Sequence, residues 1–323
     1  MNYNIFATAL PEQVFSKRKE DVHPTVISVL GQAEDGISRP IIVSFDYNGQ
    51  KVFGYQKLDG SPYCFNEMEY VISLLGEALS ISMARIIRIY SDSDCRIPHS
   101  IVSISVTEDP NESFVSFRQM RDELFWDLKN GTLPYTDWIN SWSKIRARKG
   151  SAVGNEWEVV ATKSNDYIQC LKFPFKIANY WTAKHGITLI GFEMDIEKMV
   201  AFDVLVGQAD RTPSNYGLIV NTATKTGRLA PLIDSGTLRK PYVHDDQNGF
   251  NQMLLERETL LTAALSMWDV RFTDVLSLFL HSEDLIYDLI RQNSDILAAD
   301  DLEFLNSRIY ASINLLRRHV ISN

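Results

Sequence analysis

The stretch from 202 to 236 constrains this chain most. An apolar helical run through Met199, Phe202, Leu205 and Val206 stops at Gly207, and a polar loop carrying Asp210 and Asn215 follows. Gly217 then leads into Leu218, Ile219 and Val220, the short apolar run of a buried strand. A turn over 221–227 returns the chain into a second apolar strand that ends on Asp234, within Ile233-Asp234-Ser235-Gly236. Helix, loop and hairpin in this order bring Asp210, Asn215 and Asp234 around one point. Spacing alone would not do so: the same Asp-x4-Asn pattern occurs at Asp246/Asn251 and Asp301/Asn306. Neither has the frame, since Asp246 sits in a polar turn and Asp301 at a helix start, where an acid simply suits the helix dipole.

Those three side chains are the set that phosphoryl transfer requires. Asp210 can take a proton from a hydroxyl nucleophile, while Asn215 and Asp234 offer oxygens to a magnesium ion that keeps phosphate oxygens as its other ligands. The plainer alternative makes Asp210 an Asx-turn cap and Asp234 an acid ending a strand. Upstream, Asn48-Gly49 is a strong signal for a two-residue hairpin turn, because both positions need positive φ. Lys57 stands at the end of the returning strand, where a lysine can reach between phosphates or serve as a solvated edge charge. Glu67, in the first turn of the next helix, is the expected ion-pair partner that aims it, with Glu69 as the alternative.

The segments around 202–220 and 229–236 resemble the catalytic and metal-binding loops of HipA-like kinases, an atypical serine/threonine kinase group, and more distantly those of phosphatidylinositol kinases. The run from Gly36 through Phe45, the Asp46–Gln50 hairpin, Val52 to Lys57, and Cys64-Phe65-Asn66-Glu67 opening a helix to Leu74-Leu75-Gly76 extend the resemblance from about 25 to 240. It implies a bilobal, protein-kinase-like α+β fold that binds ATP and Mg2+, with the α/β-phosphate contact at Lys57. Ser28-Val29-Leu30-Gly31-Gln32, followed by Gly36, resembles the phosphate-covering loop of the group, where glycines let backbone N–H groups approach phosphate. A serine of that loop can be autophosphorylated in the family, which points to Ser28 or Ser38. If the chain crosses between lobes near residue 106, backbone groups around Val106 and Glu108 meet the adenine edge.

The resemblance is to the short members of the group, because Lys57 lies too early for the extra N-terminal subdomain of full-length HipA proteins. That region contributes there to contacts with a DNA-binding antitoxin, so an antitoxin partner is an expectation by family only. A toxin or a secreted effector acting on a protein Ser/Thr hydroxyl, for example on a translation component or a host protein, is the implied role. There is no His-Arg-Asp, no Asp-Phe-Gly and no Ala-Pro-Glu, so control by an activation-loop phosphate is not implied. A lipid kinase and a non-catalytic nucleotide-binding pseudokinase are the other two classes compatible with these residues.

Length and charge narrow the rest. At 323 residues and 45% hydrophobic, the chain can bury a large core. A net charge of −9 argues against a nucleic-acid or anionic-membrane partner, which calls for a basic stripe. Three cysteines without paired spacing argue against a disulfide framework and for a reducing compartment. No secretory signal or membrane-spanning run is evident, which predicts a cytoplasmic protein, or one delivered into another cell by a system that reads no such signal. The expected organisation is a strand-rich, nucleotide-covering N-lobe over 1–106 and a mostly helical C-lobe over 107–323. Strands are predicted near 5–9, 25–30, 39–46, 51–58, 84–90 and 100–106, a helix over 65–80, and further helices near 117–130, 135–147, 165–185, 195–207 and after 251. Trp138, Trp142, Phe173, Phe175, Tyr180 and Trp181 read as core or lobe packing, and 148–164 as a polar loop.

Overall fold

The computed structural model describes residues 28–32, 41–47, 50–58, 66–89, 100–104, 106–107, 109–132, 164–208, 211, 213–235 and 247–321. The α+β class expected from the sequence is observed, with strands concentrated in the first half and long helices in the second. A first sheet contains β1 (Ser28–Gln32), β2 (Ile41–Tyr47), β3 (Gln50–Leu58), β4 (Ile86–Ile89) and β5 (Ser100–Ile104). Its order is β1-β2-β3-β5-β4, antiparallel throughout. The β2/β3 ladder ends at Tyr47↔Gln50, leaving two residues between the strands, the connection length that Asn48-Gly49 signals. Because side chains alternate along a strand, Phe53, Tyr55 and Lys57 share one face of β3.

Helix α1 (Asn66–Ala78) follows β3. Its Val71, Ile72 and Leu75 are fully buried, in one core with the helices of the second half. At Gly76 this packing is so close that a Cβ would lie 3.2 Å from Phe202 Cζ and closer still to Met83. Beyond the helix, Met83 forms a parallel bridge with Leu232. Two backbone hydrogen bonds close it, Ala84 N–H to the Leu232 carbonyl at 2.9 Å and Leu232 N–H to the Ser82 carbonyl at 2.8 Å.

A second sheet joins β6 (Glu112–Ser116), β7 (Thr188–Leu189), β8 (Gly217–Asn221) and β9 (Thr226–Leu229) in the order β6-β8-β9-β7. Sequence reading anticipated the β8/β9 hairpin and missed β6 and β7, which are short and acquire partners only through distant strands. Gly217 faces Ser116 across β8/β6, where a Cβ would fall 2.2 Å from the Val115 carbonyl oxygen, so only glycine fits. The second strand of the hairpin stops at Leu229, not at Asp234 as expected. Its continuation leaves β8 to bridge Met83, which carries the chain from the second sheet toward α1.

The helices are α2 (Phe117–Lys129), α3 (Ser164–His185), α4 (Phe192–Val206), α5 (Gln247–His281), α6 (Glu283–Gln292) and α7 (Ala299–Ile321). A capping box starts α2: Ser116 Oγ accepts from Gln119 N–H, and the Gln119 side chain accepts from Ser116 N–H. Helix α4 lies in the core from Met199 to its end, with Ile196, Met199, Val200, Phe202, Val204 and Leu205 at zero exposure. Phe173, Phe175 and Trp181 of α3 are buried in the same core, as their reading as packing residues anticipated. The predicted strand near 5–9 and helix near 135–147 lie outside the described residues, as does the predicted polar loop over 148–164 except for Ser164, which begins α3. No helix among the described residues is long and apolar enough to cross a membrane.

Candidate active site

Lys57, next to last in β3, extends from the sheet face toward α1 and the segment after β9. Its Nζ donates to Glu69 Oε2 at 2.6 Å and to Asp234 Oδ1 at 2.7 Å. The first turn of α1 thus supplies the carboxylate on Lys57, but from Glu69, which corrects the expectation that Glu67 plays this part. Positions i and i+2 on a helix lie about 200° apart, so Glu67 and Glu69 cannot present the same way. Glu69 is buried toward the sheet, whereas Glu67 is half-buried.

Asp234 is the meeting point. Its second oxygen, Oδ2, accepts from Asn215 Nδ2 at 3.0 Å, and its backbone carbonyl accepts from Gln208 Nε2 at 2.9 Å. Residues 57, 69, 215 and 234, from β3, α1, the loop before β8 and the segment after β9, are therefore linked by direct hydrogen bonds. Asp234 also has φ of 54°, the left-handed region, which costs a non-glycine residue roughly 1–2 kcal/mol. Its neighbours hold it there.

Charge follows from the packing. Burial would favour neutral Lys57, but the carboxylates of Glu69 and Asp234 outweigh it and raise the ammonium above the usual lysine range. Burial likewise opposes the charge on Asp234, yet Lys57, Arg211 and Asn215 hold its carboxyl below the usual aspartate value. Burial pushes Glu69 upward, and Lys57 offsets only part of that. The side chains of Lys57 and Glu69 are 13% and 4% exposed and that of Asp234 37%, so Asp234 is the more accessible of the two carboxylates on Lys57.

This donor set fits magnesium. An ionised carboxylate has about four acceptor positions, of which Lys57 and Asn215 use two on Asp234, and the amide oxygen of Asn215 is a second hard donor beside it. Among the described residues no group of three or more His, Cys, Asp and Glu could hold a metal ion. A site of one carboxylate and one amide instead suits an ion whose remaining ligands are phosphate oxygens and water.

Other expected residues fall differently. Asp210, Gly36, Ser38 and Glu108 lie outside the described residues. Gly31 is in strand β1 and not in a loop; it pairs with Ile42 at an irregularity in the β1/β2 ladder between Val29 and Gly31, the kind of bulge glycine favours. Ser28 begins the same strand opposite Ser44. Val106 is half-buried between β5 of the first sheet and β6 of the second. Sequence reading missed Gln208 and gave Arg211 no role. Arg211 is wholly buried and ion-paired with Asp203 at 2.8 Å. Its signal in the sequence was slight: an arginine directly after a candidate catalytic acid, eight residues beyond an aspartate in an apolar helix.

No family model matches the chain, and no curated protein matches it. Among solved structures, the chain is similar to the crystal structure of the Helicobacter pylori proinflammatory kinase CtkA. The two share 14% sequence identity, the match covers 87% of this chain and 94% of that one, and the TM-score is 0.48.

Proposed function

We propose that this protein is an ATP- and magnesium-dependent kinase of HipA-like type that phosphorylates serine or threonine hydroxyls of a protein. The observation that carries the reading is Lys57 held between Glu69 and Asp234, with Asn215 on the same aspartate. A buried ammonium aimed by a helix acid, beside an exposed carboxylate and an amide, matches a phosphate and metal site better than a structural ion pair, which has no use for the amide or for the exposure of Asp234.

In this reading Lys57, protonated at neutral pH, binds phosphate oxygens, and Glu69 keeps it aimed. Asn215 and Asp234 would hold magnesium, which would supply positive charge beside the phosphates. Asp210 orients the acceptor hydroxyl and takes its proton as the oxygen bonds to the γ-phosphorus and the bond to the β,γ-bridging oxygen breaks. Positioning and charge stabilisation supply most of the acceleration. Phe53 and Tyr55, 49% and 44% exposed on the face of β3 that bears Lys57, give the nucleotide an aromatic surface. Ser28 and Ser38 are the candidate autophosphorylation positions, and a toxin or effector role with a protein acceptor follows from the family resemblance.

The test is transfer of label from γ-labelled magnesium-ATP to the protein and to a generic protein acceptor, for wild type, Asp234→Ala and Asp210→Asn. Label in wild type that disappears in both variants is expected. Transfer to phosphoinositide vesicles and not to protein would reassign the acceptor, and absence of nucleotide binding would refute the reading.

A further inference from the structure

Arg211 has five N–H groups, and each finds an acceptor. Nε donates to Asp203 Oδ2 at 3.1 Å and Nη2 to Asp203 Oδ1 at 2.8 Å. Nη1 donates to the Ile233 carbonyl at 3.0 Å and, at 3.5 Å, to the Asn215 carbonyl, while Nη2 also reaches Ser235 Oγ at 3.3 Å. The acceptors are a helix residue of α4, the backbone of the residue bearing the amide donor, and the residues immediately before and after Asp234. Gln208 completes the bracket on the carbonyl of Asp234 itself. Asp234 is thus held at 233, 234 and 235 by two side chains from the turn after α4, and it is the residue with φ of 54°.

An arginine needed only to neutralise Asp203 would not have to reach Ile233, Ser235 and Asn215. We infer that Arg211 is a positioning residue which, with Gln208, fixes the left-handed backbone of Asp234 and so sets the spacing of the Asn215–Asp234 oxygen pair for magnesium. This rests on the kinase reading of the same site. The planar fork does what lysine cannot: three donors on a flexible stem can satisfy Asp203 but not hold two backbone segments at a fixed separation.

The test uses the full chain with Arg211→Lys, which keeps a cation against Asp203, and Gln208→Met, which removes the bond to Asp234 at similar volume without burying a charge. Circular dichroism and melting check that both are folded. Magnesium is titrated at fixed concentration of a fluorescent ATP analogue, and analogue binding is also measured in EDTA. The half-saturating magnesium concentration should rise about tenfold in Arg211→Lys and severalfold in Gln208→Met, with binding in EDTA unchanged because the Lys57 contact persists. Amide exchange across 232–235, measured without ligand, should quicken in both. A weaker fold alone would not separate magnesium dependence from metal-free binding. Unchanged magnesium dependence in both variants overturns the inference. If wild type binds no nucleotide at all, the kinase reading fails, and amide exchange decides the positioning role by itself: unchanged exchange refutes it and faster exchange upholds it.

Discussion

Replacing Glu69 by glutamine keeps its shape and removes its charge. Lys57 would then keep the Asp234 carboxylate at 2.7 Å, with a neutral amide in place of the contact now made at 2.6 Å. Removing one partner of a buried ion pair outright costs about 3–5 kcal/mol. Since Asp234 remains and the amide oxygen can still accept from Nζ, the loss should be about 2–3 kcal/mol. Unfolding entropy of about 2.1 cal/mol/K per residue, over 323 residues, converts that into a fall of roughly 3–4 °C in melting temperature. On the kinase reading, activity should fall by a comparable free energy, about 100-fold in kcat/KM, because an unaimed lysine loses its phosphate contact in the transition state. Glu67→Gln, two positions away in the same turn, should cost about 1 kcal/mol or less. Calorimetry and label transfer on the two variants side by side provide the assay. A silent Glu69→Gln beside a damaging Glu67→Gln would show that the wrong acid has been placed on Lys57.

Three further outcomes are expected. Asp234 has its folded pKa below the ordinary carboxylate value, so the stability it contributes is present above about pH 4 and is lost as pH falls through the lowered pKa; urea midpoints from pH 3 to 7 should show the gap between wild type and Asp234→Asn closing only at the acid end. Gly217→Ala, whose Cβ would sit 2.2 Å from the Val115 carbonyl oxygen, should destabilise by about 2 kcal/mol or more by forcing β6 and β8 apart, and an unshifted urea midpoint would refute the close approach. Gly207→Ala should cost about 1–2 kcal/mol, since φ is 74° and the new methyl would lie 1.4 Å from Arg257 Nη2; a melting temperature equal to wild type would count against it.

Much of this was legible from local patterns. The β2/β3 hairpin followed from Asn-Gly between apolar runs, α4 from its apolar periodicity ending at glycine, and the nearness of Asn215 to Asp234 from the helix, loop and hairpin frame. What escaped depended on distant partners. Glu67 and Glu69 are equivalent in a first turn until the sheet decides which side of the helix is covered. Strands β6 and β7 are too short to announce themselves and are defined by pairing with β8 and β9. Arg211 received no role from the sequence, because arginine is rarely wholly buried and nothing adjacent to it in sequence announces five acceptors.

The bridge between Met83 and Leu232 has a consequence for anyone cutting this protein into pieces. Leu232 lies two residues before Asp234, and the strand-like segment it pairs with leaves the helix that carries Glu69. A fragment beginning at 107 would lose that helix, and with it Val71, Ile72 and Leu75 from the interior it shares with α4 and α6. The remaining piece would expose the apolar surface that α1 covers at Phe202 and on α6, and Leu232 would lose the backbone of Ser82 and Ala84. Truncation studies that seek a minimal catalytic fragment would therefore recover insoluble material from the second half alone, whereas co-expression with a first half that supplies 66–89 would restore both the interior and the bridge.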